Sequence, residues 1–275
     1  VTAIHIRFDI DTITCIEKGV PRLLDMAQRL GVRFTFFVNL GRSIDRREVF
    51  YGSPSKTVGN VLGEVQKIGA LKKLGLIDIL RTVIVNPEIG LGHRDILMRL
   101  VDEGHELGLH GGGNHGTWQR RGKNANSKMF SSWIDEVMSD YRAIVPAGGG
   151  FASPGAVANS DLPYVLQDKG FVYSSDDFKS QQIYRHTCGL WEIPVTACYG
   201  TVPLIEHFKA LGHDADFIVT QANKWAKNTP LKTFYGHPVW EGYRDADLFE
   251  CILNSWLDDG YRICPYGEAI SSEKV

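Results

Sequence analysis

The chain has 275 residues, with 30 Lys+Arg against 32 Asp+Glu and a formal net charge of -2. At 43 % apolar and 23 % charged it is neither a disordered chain nor a polybasic one, so a nucleic-acid partner and an acidic tail protein are excluded. Glycine is the outlier: its 29 residues are roughly 10.5 % against a usual ~7 %, which predicts many tight connections or backbone held close to a ligand.

Read from the start, Ile4–Phe8 is a short apolar run that predicts a buried strand. A recurring phrase follows: an amphipathic helix, a glycine, then a β-branched or aromatic run. Its copies are Leu23–Leu30, Gly31, Val32–Val38; Asp95–Glu103, Gly104, His105–Leu109; Leu162–Lys169, Gly170, Phe171–Tyr173; and Asp247–Asp259, Gly260, Tyr261–Cys264. Each glycine stands where a helix end favours a left-handed residue. Trp191–Thr196 and Leu231–Tyr235 add two further strands. Strands alternating with helices predict a parallel sheet with crossover helices. Seven or eight such strands favour an α/β fold of the deformed (β/α) barrel kind, in one domain over 1–275. The G-x-G-x-x-G loop of an open dinucleotide-binding sheet does not follow the first strand.

Two regions depart from this rhythm. Residues 43–92 are too long for an ordinary connection and read as an insertion. Within it, Val58–Val85 is apolar with interspersed Lys56, Lys67, Lys72, Lys73 and Arg81, which reads as a helical insertion or as an amphipathic face for a membrane or lipid chain. Residues Gly111–Lys128 read as a loop. No apolar run reaches the ~18–20 residues of a membrane span, no secretory pattern opens the residues, and the five cysteines contain no C-x-x-C. A cytoplasmic location with reduced thiols is the expectation.

In β/α barrels, functional groups stand at the C-terminal ends of the strands. Those ends read Asp9-Ile10-Asp11, then His110 followed by Gly111–Gly113, Asn114 and His115, then Ser174-Ser175-Asp176-Asp177, and last Gly236-His237-Pro238. Two histidines with one carboxylate form a catalytic metal set that leaves positions for water and substrate.

Several segments together resemble the NodB-like polysaccharide deacetylases, carbohydrate esterase family four. They are Arg7–Thr12, Gly19–Leu24, Gly104–His110, Trp118-Gln119, Ile193–Thr196, His237–Gly242 and Ile263–Pro265. Within that superfamily the chain is similar to the formamido-arabinose-phosphoundecaprenol deformylases. The resemblance implies a metal-dependent hydrolase that removes a formyl or acetyl group from an N-acylated sugar, with an undecaprenyl-phosphate link as the finer reading. It implies Asp9 as general base, Asp11 and His110 with a second histidine as metal ligands, and His237 as general acid. Asp176 would orient His237. The superfamily spaces its ligands His-x-x-x-His, whereas here Asn114 holds that position and His115 follows it; with one inserted glycine His115 is the ligand, the favoured reading, and without it Asn114 takes the position and the metal site is weak. Glu241, Trp240, Trp118 and His93 are the candidate substrate contacts, His93 together with Arg94 for a phosphate. The expected cofactor is a divalent ion, zinc first, with manganese, cobalt or nickel as alternatives. A location at the inner membrane face, with contact through 43–92, goes with the lipid-linked reading. The competing readings are a soluble oligosaccharide or small-amide deacetylase, and a non-catalytic carbohydrate-binding relative that has lost its metal.

Overall fold

A computed structural model of the chain describes residues 2–44 and 84–270. The expected insertion at 43–92, including the amphipathic Val58–Val85 stretch, falls mostly outside them.

The first strand sets the architecture. β1 (Ala3–Ile10) pairs in parallel with three others: β2 (Thr35–Val38), β10 (Thr233–Gly236) and β11 (Arg262–Cys264). From β2 the sheet continues through β3 (Glu106–His110), β4 (Gly150–Ala152), β5 (Tyr173–Ser174) and β7 (Trp191–Glu192), every pair parallel. β6 (Tyr184–Arg185) is the exception and pairs antiparallel to β7. The segment after β7 then crosses over, so that Ala197 makes a parallel bridge to Phe234 of β10. That bridge curls the sheet into the deformed, mostly parallel β/α barrel expected from the sequence. A separate hairpin, β8 (Cys198–Tyr199) with β9 (Val202–Pro203), stands beside it.

The alternation of side chains along β1 builds two cores. Ile4, Ile6, Phe8 and Ile10 pack outward under the helices, where Phe8 meets the rings of Phe34 and Phe249 edge-on at 5.4 and 5.6 Å. Each such fully buried ring contributes roughly 1.5–3 kcal/mol over exposure. The other parity, His5, Arg7 and Asp9, is also buried and points into the barrel. Within the barrel, Phe37, Tyr173, Ile193 and Tyr266 form a second cluster. Below them Glu106 accepts hydrogen bonds from Thr35, Tyr173 and the backbone of Gly267, which plugs the N-terminal end.

The outer helices are α1 (Val20–Leu30), α2 (Arg94–Asp102), α3 (His115–Arg121), α4 (Ser127–Arg142), α5 (Leu162–Asp168), α6 (Leu204–Ala210), α7 (Ala215–Asn228) and α8 (Ala246–Asp258). Gly31, Gly104, Gly170 and Gly260 all adopt positive φ after helices, as the repeated phrase predicts. The stretch Gly111–Lys128 is not a loop throughout. Asn114 accepts the Thr117 N–H at 2.9 Å and caps α3, and this cap outweighs the poor helix propensity of the residues around it.

Two π-helical turns lie against each other at the C-terminal end of the barrel, Cys15–Gly19 after β1 and Val239–Arg244 after β10. A Cβ on Gly19 would lie 2.1 Å from the Pro238 carbonyl oxygen, and one on Gly242 2.3 Å from the Gly19 oxygen. The two turns therefore pack backbone on backbone. Among the described residues no helix is long and apolar enough to cross a membrane.

Candidate active site

A cavity of about 200 Å³ opens at the C-terminal end of the barrel, and Asp9, Asp11, His110 and His237 all line it. Asp9 and Asp11 come from the end of β1, His110 from the end of β3, and His237 from the residue after β10. The parallel sheet brings these strand ends to one rim.

Asp11 is the hub. Its Oδ1 lies 3.0 Å from His110 Nε2 and 3.3 Å from His115 Nε2, and its Oδ2 lies 3.3 Å from His237 Nε2. One ligand atom from each of Asp11, His110 and His115 falls within 4.8 Å of the others, a possible cation site. Asp11 Oδ1 and His115 Nε2 are buried and close, yet neither makes an aligned hydrogen bond among the described residues. Donor atoms that converge without pairing fit a shared ion. His110 fits it too: its Nδ1 is 3.0 Å from the Ala152 carbonyl oxygen, which fixes the ring and leaves Nε2 toward Asp11. Asn114 faces away, its side chain occupied as the α3 cap. Burial works against an ionised Asp11, but the nearby His115 charge and the close imidazoles of His110, His115 and His237 hold its carboxyl well below the usual range.

Asp9 is buried, with Oδ2 taken by Arg7 at 3.4 Å and Oδ1 without a hydrogen bond among the described residues. His237 is held on two sides. Its Nδ1 pairs closely with Glu206 of α6, and its backbone N–H donates to Glu241 at 2.9 Å. Glu206 itself is buried.

Several expected contacts take other places. Asp176 does not orient His237; its carboxylate accepts the Ser153 N–H at 2.6 Å and hydroxyl at 2.8 Å, and Glu206 occupies the orienting position. Glu241 does not line the cavity. It is wholly buried beneath His237, where burial and then repulsion from Glu206 push its carboxyl up to about 8. Trp118 is fully buried against Phe130 and Phe151, with its indole N–H donating to the Val157 carbonyl. Trp240 packs against the outer core with Arg244 over its ring. His93 pairs with Glu17 at 3.1 Å and with the Ile89 carbonyl. None of these four lines the cavity. The lining instead includes Gln119, Phe178, Thr201 and Tyr235, and through Ala156, Phe178 and Thr201 it adjoins a second cavity of about 710 Å³.

Asp176 carries a pH dependence of its own. Burial first, and then the neighbouring Glu192, push its carboxyl up to about 7. The folded protein therefore keeps a proton that the unfolded chain releases near pH 4. Stability contributed at low pH is lost as pH rises toward 7. Asp176→Asn keeps an acceptor for the Ser153 N–H and has no proton to lose. Its Tm advantage over the parent is expected to widen between pH 4 and pH 7; a pH-independent difference contradicts the assignment.

No family model matches the chain. It is 26 % identical over 289 residues to the "Probable 4-deoxy-4-formamido-L-arabinose-phosphoundecaprenol deformylase ArnD" of Shewanella sediminis, covering 100 % of this chain and 88 % of the relative. The structure of a "putative polysaccharide deacetylase" from Mycobacterium smegmatis superposes with a TM-score of 0.64 at 16 % identity, covering 100 % of this chain and 91 % of that one. The peptidoglycan deacetylase PdaC from Bacillus subtilis gives 0.54 at 15 % identity, with coverages of 99 % and 92 %. The chain thus shares the fold of the NodB-like polysaccharide deacetylases and, from end to end, sequence similarity with a probable formamido-arabinose-phosphoundecaprenol deformylase.

Proposed function

We propose that this protein is a metal-dependent hydrolase that removes a formyl or acetyl group from the nitrogen of an amino sugar. One observation carries the reading: a carboxylate with a free oxygen, a carboxylate-held histidine, and Asp11 and His110 of an Asp-His-His donor set all line one small cavity, with His115 completing the set beside Asp11. The similarity to a deformylase and to deacetylases supports the same chemistry.

In this reading Asp11, His110 and His115 hold a divalent ion. Two imidazoles and one carboxylate suit zinc, and manganese, cobalt or nickel also accept such a set. When bound, the ion supplies Lewis acidity that polarises the acyl carbonyl and makes water acidic near neutral pH. Asp9 Oδ1 takes the proton of the attacking water, a step for which its missing hydrogen bond leaves it ready. His237 gives a proton to the sugar nitrogen as the C–N bond breaks, since an amine leaves poorly without one. Glu206 fixes the His237 ring through Nδ1 and stabilises its cationic form. Glu241 anchors the backbone of the same residue.

A cavity of about 200 Å³ suits the acyl group and its carbonyl, and the adjoining 710 Å³ space receives the rest of the substrate. The name of the deformylase relative extends the reading to a sugar carried on undecaprenyl phosphate, met at the inner face of a membrane.

The test is amine release from N-formyl and N-acetyl amino sugars, free and undecaprenyl-phosphate-linked. The protein is stripped of metal and reloaded with zinc, manganese, cobalt or nickel in turn. Turnover that a chelator abolishes and a divalent ion restores is the expected result. No amine release from any of these substrates with any of these ions overturns the reading.

A further inference from the structure

Arg7 is a charge placed where charge is costly. It stands one inward step before Asp9 on β1 and is 2 % exposed. Four rings surround its guanidinium, those of Phe37, Phe178, Tyr235 and Tyr266, with centroids 5.1–5.9 Å from its central carbon. One arm of the fork donates to the Ser175 carbonyl at 2.5 Å, and the other reaches Asp9 Oδ2 at 3.4 Å. Among the described residues Asp9 is its ion-pair partner. Burying a cation in an aromatic box is unfavourable unless it is paired and bonded, so the arrangement is held for what the pair does.

We infer that Arg7 is the positioning residue of the proposed proton acceptor: it holds Asp9 Oδ2 so that Oδ1 faces the cavity. The inference rests on the reading of Asp9 given above. A carboxylate on a short side chain can turn about its Cβ–Cγ bond, and turning exchanges or displaces the two oxygens. The guanidinium prevents this because its own place is fixed from behind by Ser175 and from the sides by the rings. A planar fork can bond Ser175 and Asp9 at once in fixed geometry. A lysine ammonium keeps the charge but not the fork. Arg7 also lines the cavity, so a small cation can reach the space that a shorter side chain leaves.

The experiment compares the parent, Arg7→Lys, Arg7→Ala and Asp9→Asn, each loaded with the same metal, for amine release from an N-formyl amino sugar. Arg7→Ala is expected to lower kcat about 100-fold, the scale of a misplaced reacting group, with KM within about twofold and bound metal per chain unchanged. Arg7→Lys is expected to recover part of the loss, and added guanidinium ion to restore much of it to Arg7→Ala. Neither recovery follows if Arg7 only fills the barrel. Parent-like kcat in Arg7→Lys overturns the inference even if Arg7→Ala does not fold, because charge alone would then suffice. A folded Arg7→Ala that is slow yet unmoved by guanidinium, or altered in KM alone, also overturns it. An active parent with an inactive Asp9→Asn and a parent-like Arg7→Ala overturns the role of Arg7 and leaves the function standing. An Asp9→Asn as fast as the parent overturns the role of Asp9 and with it that of Arg7, and a parent inactive on every substrate and ion tried for the proposed function overturns the function as well.

Discussion

His115→Ala is expected to lose the bound divalent ion and with it deacylation, whereas Asn114→Ser keeps both. The two residues are neighbours with opposite orientations. His115 sends Nε2 to within 3.3 Å of Asp11 Oδ1, and Asn114 spends its side chain on the Thr117 N–H. Serine is as good a helix cap as asparagine, so Asn114→Ser preserves α3 while removing the amide oxygen at the competing position. Lewis acidity contributes several kcal/mol to such reactions; at about 4 kcal/mol its loss is roughly 10³-fold in rate. Metal content by elemental analysis and turnover of an N-formyl sugar read the two effects separately. An His115→Ala protein that retains one ion per chain removes His115 from the donor set. An Asn114→Ser protein that loses the ion moves the ligand to position 114.

Asp9→Asn should have a comparable effect on rate and none on metal. Its amide oxygen can still accept from Arg7, so the barrel interior keeps its hydrogen bond at nearly constant volume. What disappears is the ability to take a proton. Loss of a general base costs about 10²–10⁴-fold. That loss is expected in kcat, with bound metal close to the parent and a lowered Tm, because the amide leaves the buried Arg7 charge without its ion-pair partner. If activity survives within tenfold, the proton goes elsewhere and the division of roles between Asp9 and Asp11 is wrong.

The parts of the site that could be read in the sequence are those that local rules fix. Asp9 and Asp11 close a strongly apolar strand, so their direction follows from its alternation, and His110 and His237 end strands that glycine and hydropathy mark clearly. Glu206 could not be found that way. It lies 31 residues before His237 on a helix that follows a strand of two residues, too short to register in hydropathy, and their meeting depends on how the hairpin folds back. Trp118, Trp240, Glu241 and His93 share a different cause. Trp118, Trp240 and Glu241 follow strand ends and His93 precedes a helix, but such a place in the sequence does not say whether a side chain faces the cavity or the packing behind it. Trp118 and Glu241 are fully buried because a helix turn and a π-turn rotate them inward. Arg7 was visible as part of the first motif, yet an inward cation among apolar residues is recognisable only once the four rings around it are known.

The backbone contact of Gly19 with Pro238 and Gly242 divides the molecule by what can vary. The turns follow the strands whose ends carry Asp9 and His237, the groups proposed to move protons, and at Gly19 and Gly242 they leave no space for a side chain between them. A mutation there strains main chain rather than exchanging one surface for another. The cavity mouth, formed by Ala156, Phe178 and Thr201, is made of side chains on connecting segments and can be recast without touching that contact. On the proposed function, chemistry and substrate choice fall in separate parts of the barrel rim. A laboratory search for new acyl-sugar preferences belongs at those three mouth positions, with Gly19 and Gly242 left as they are.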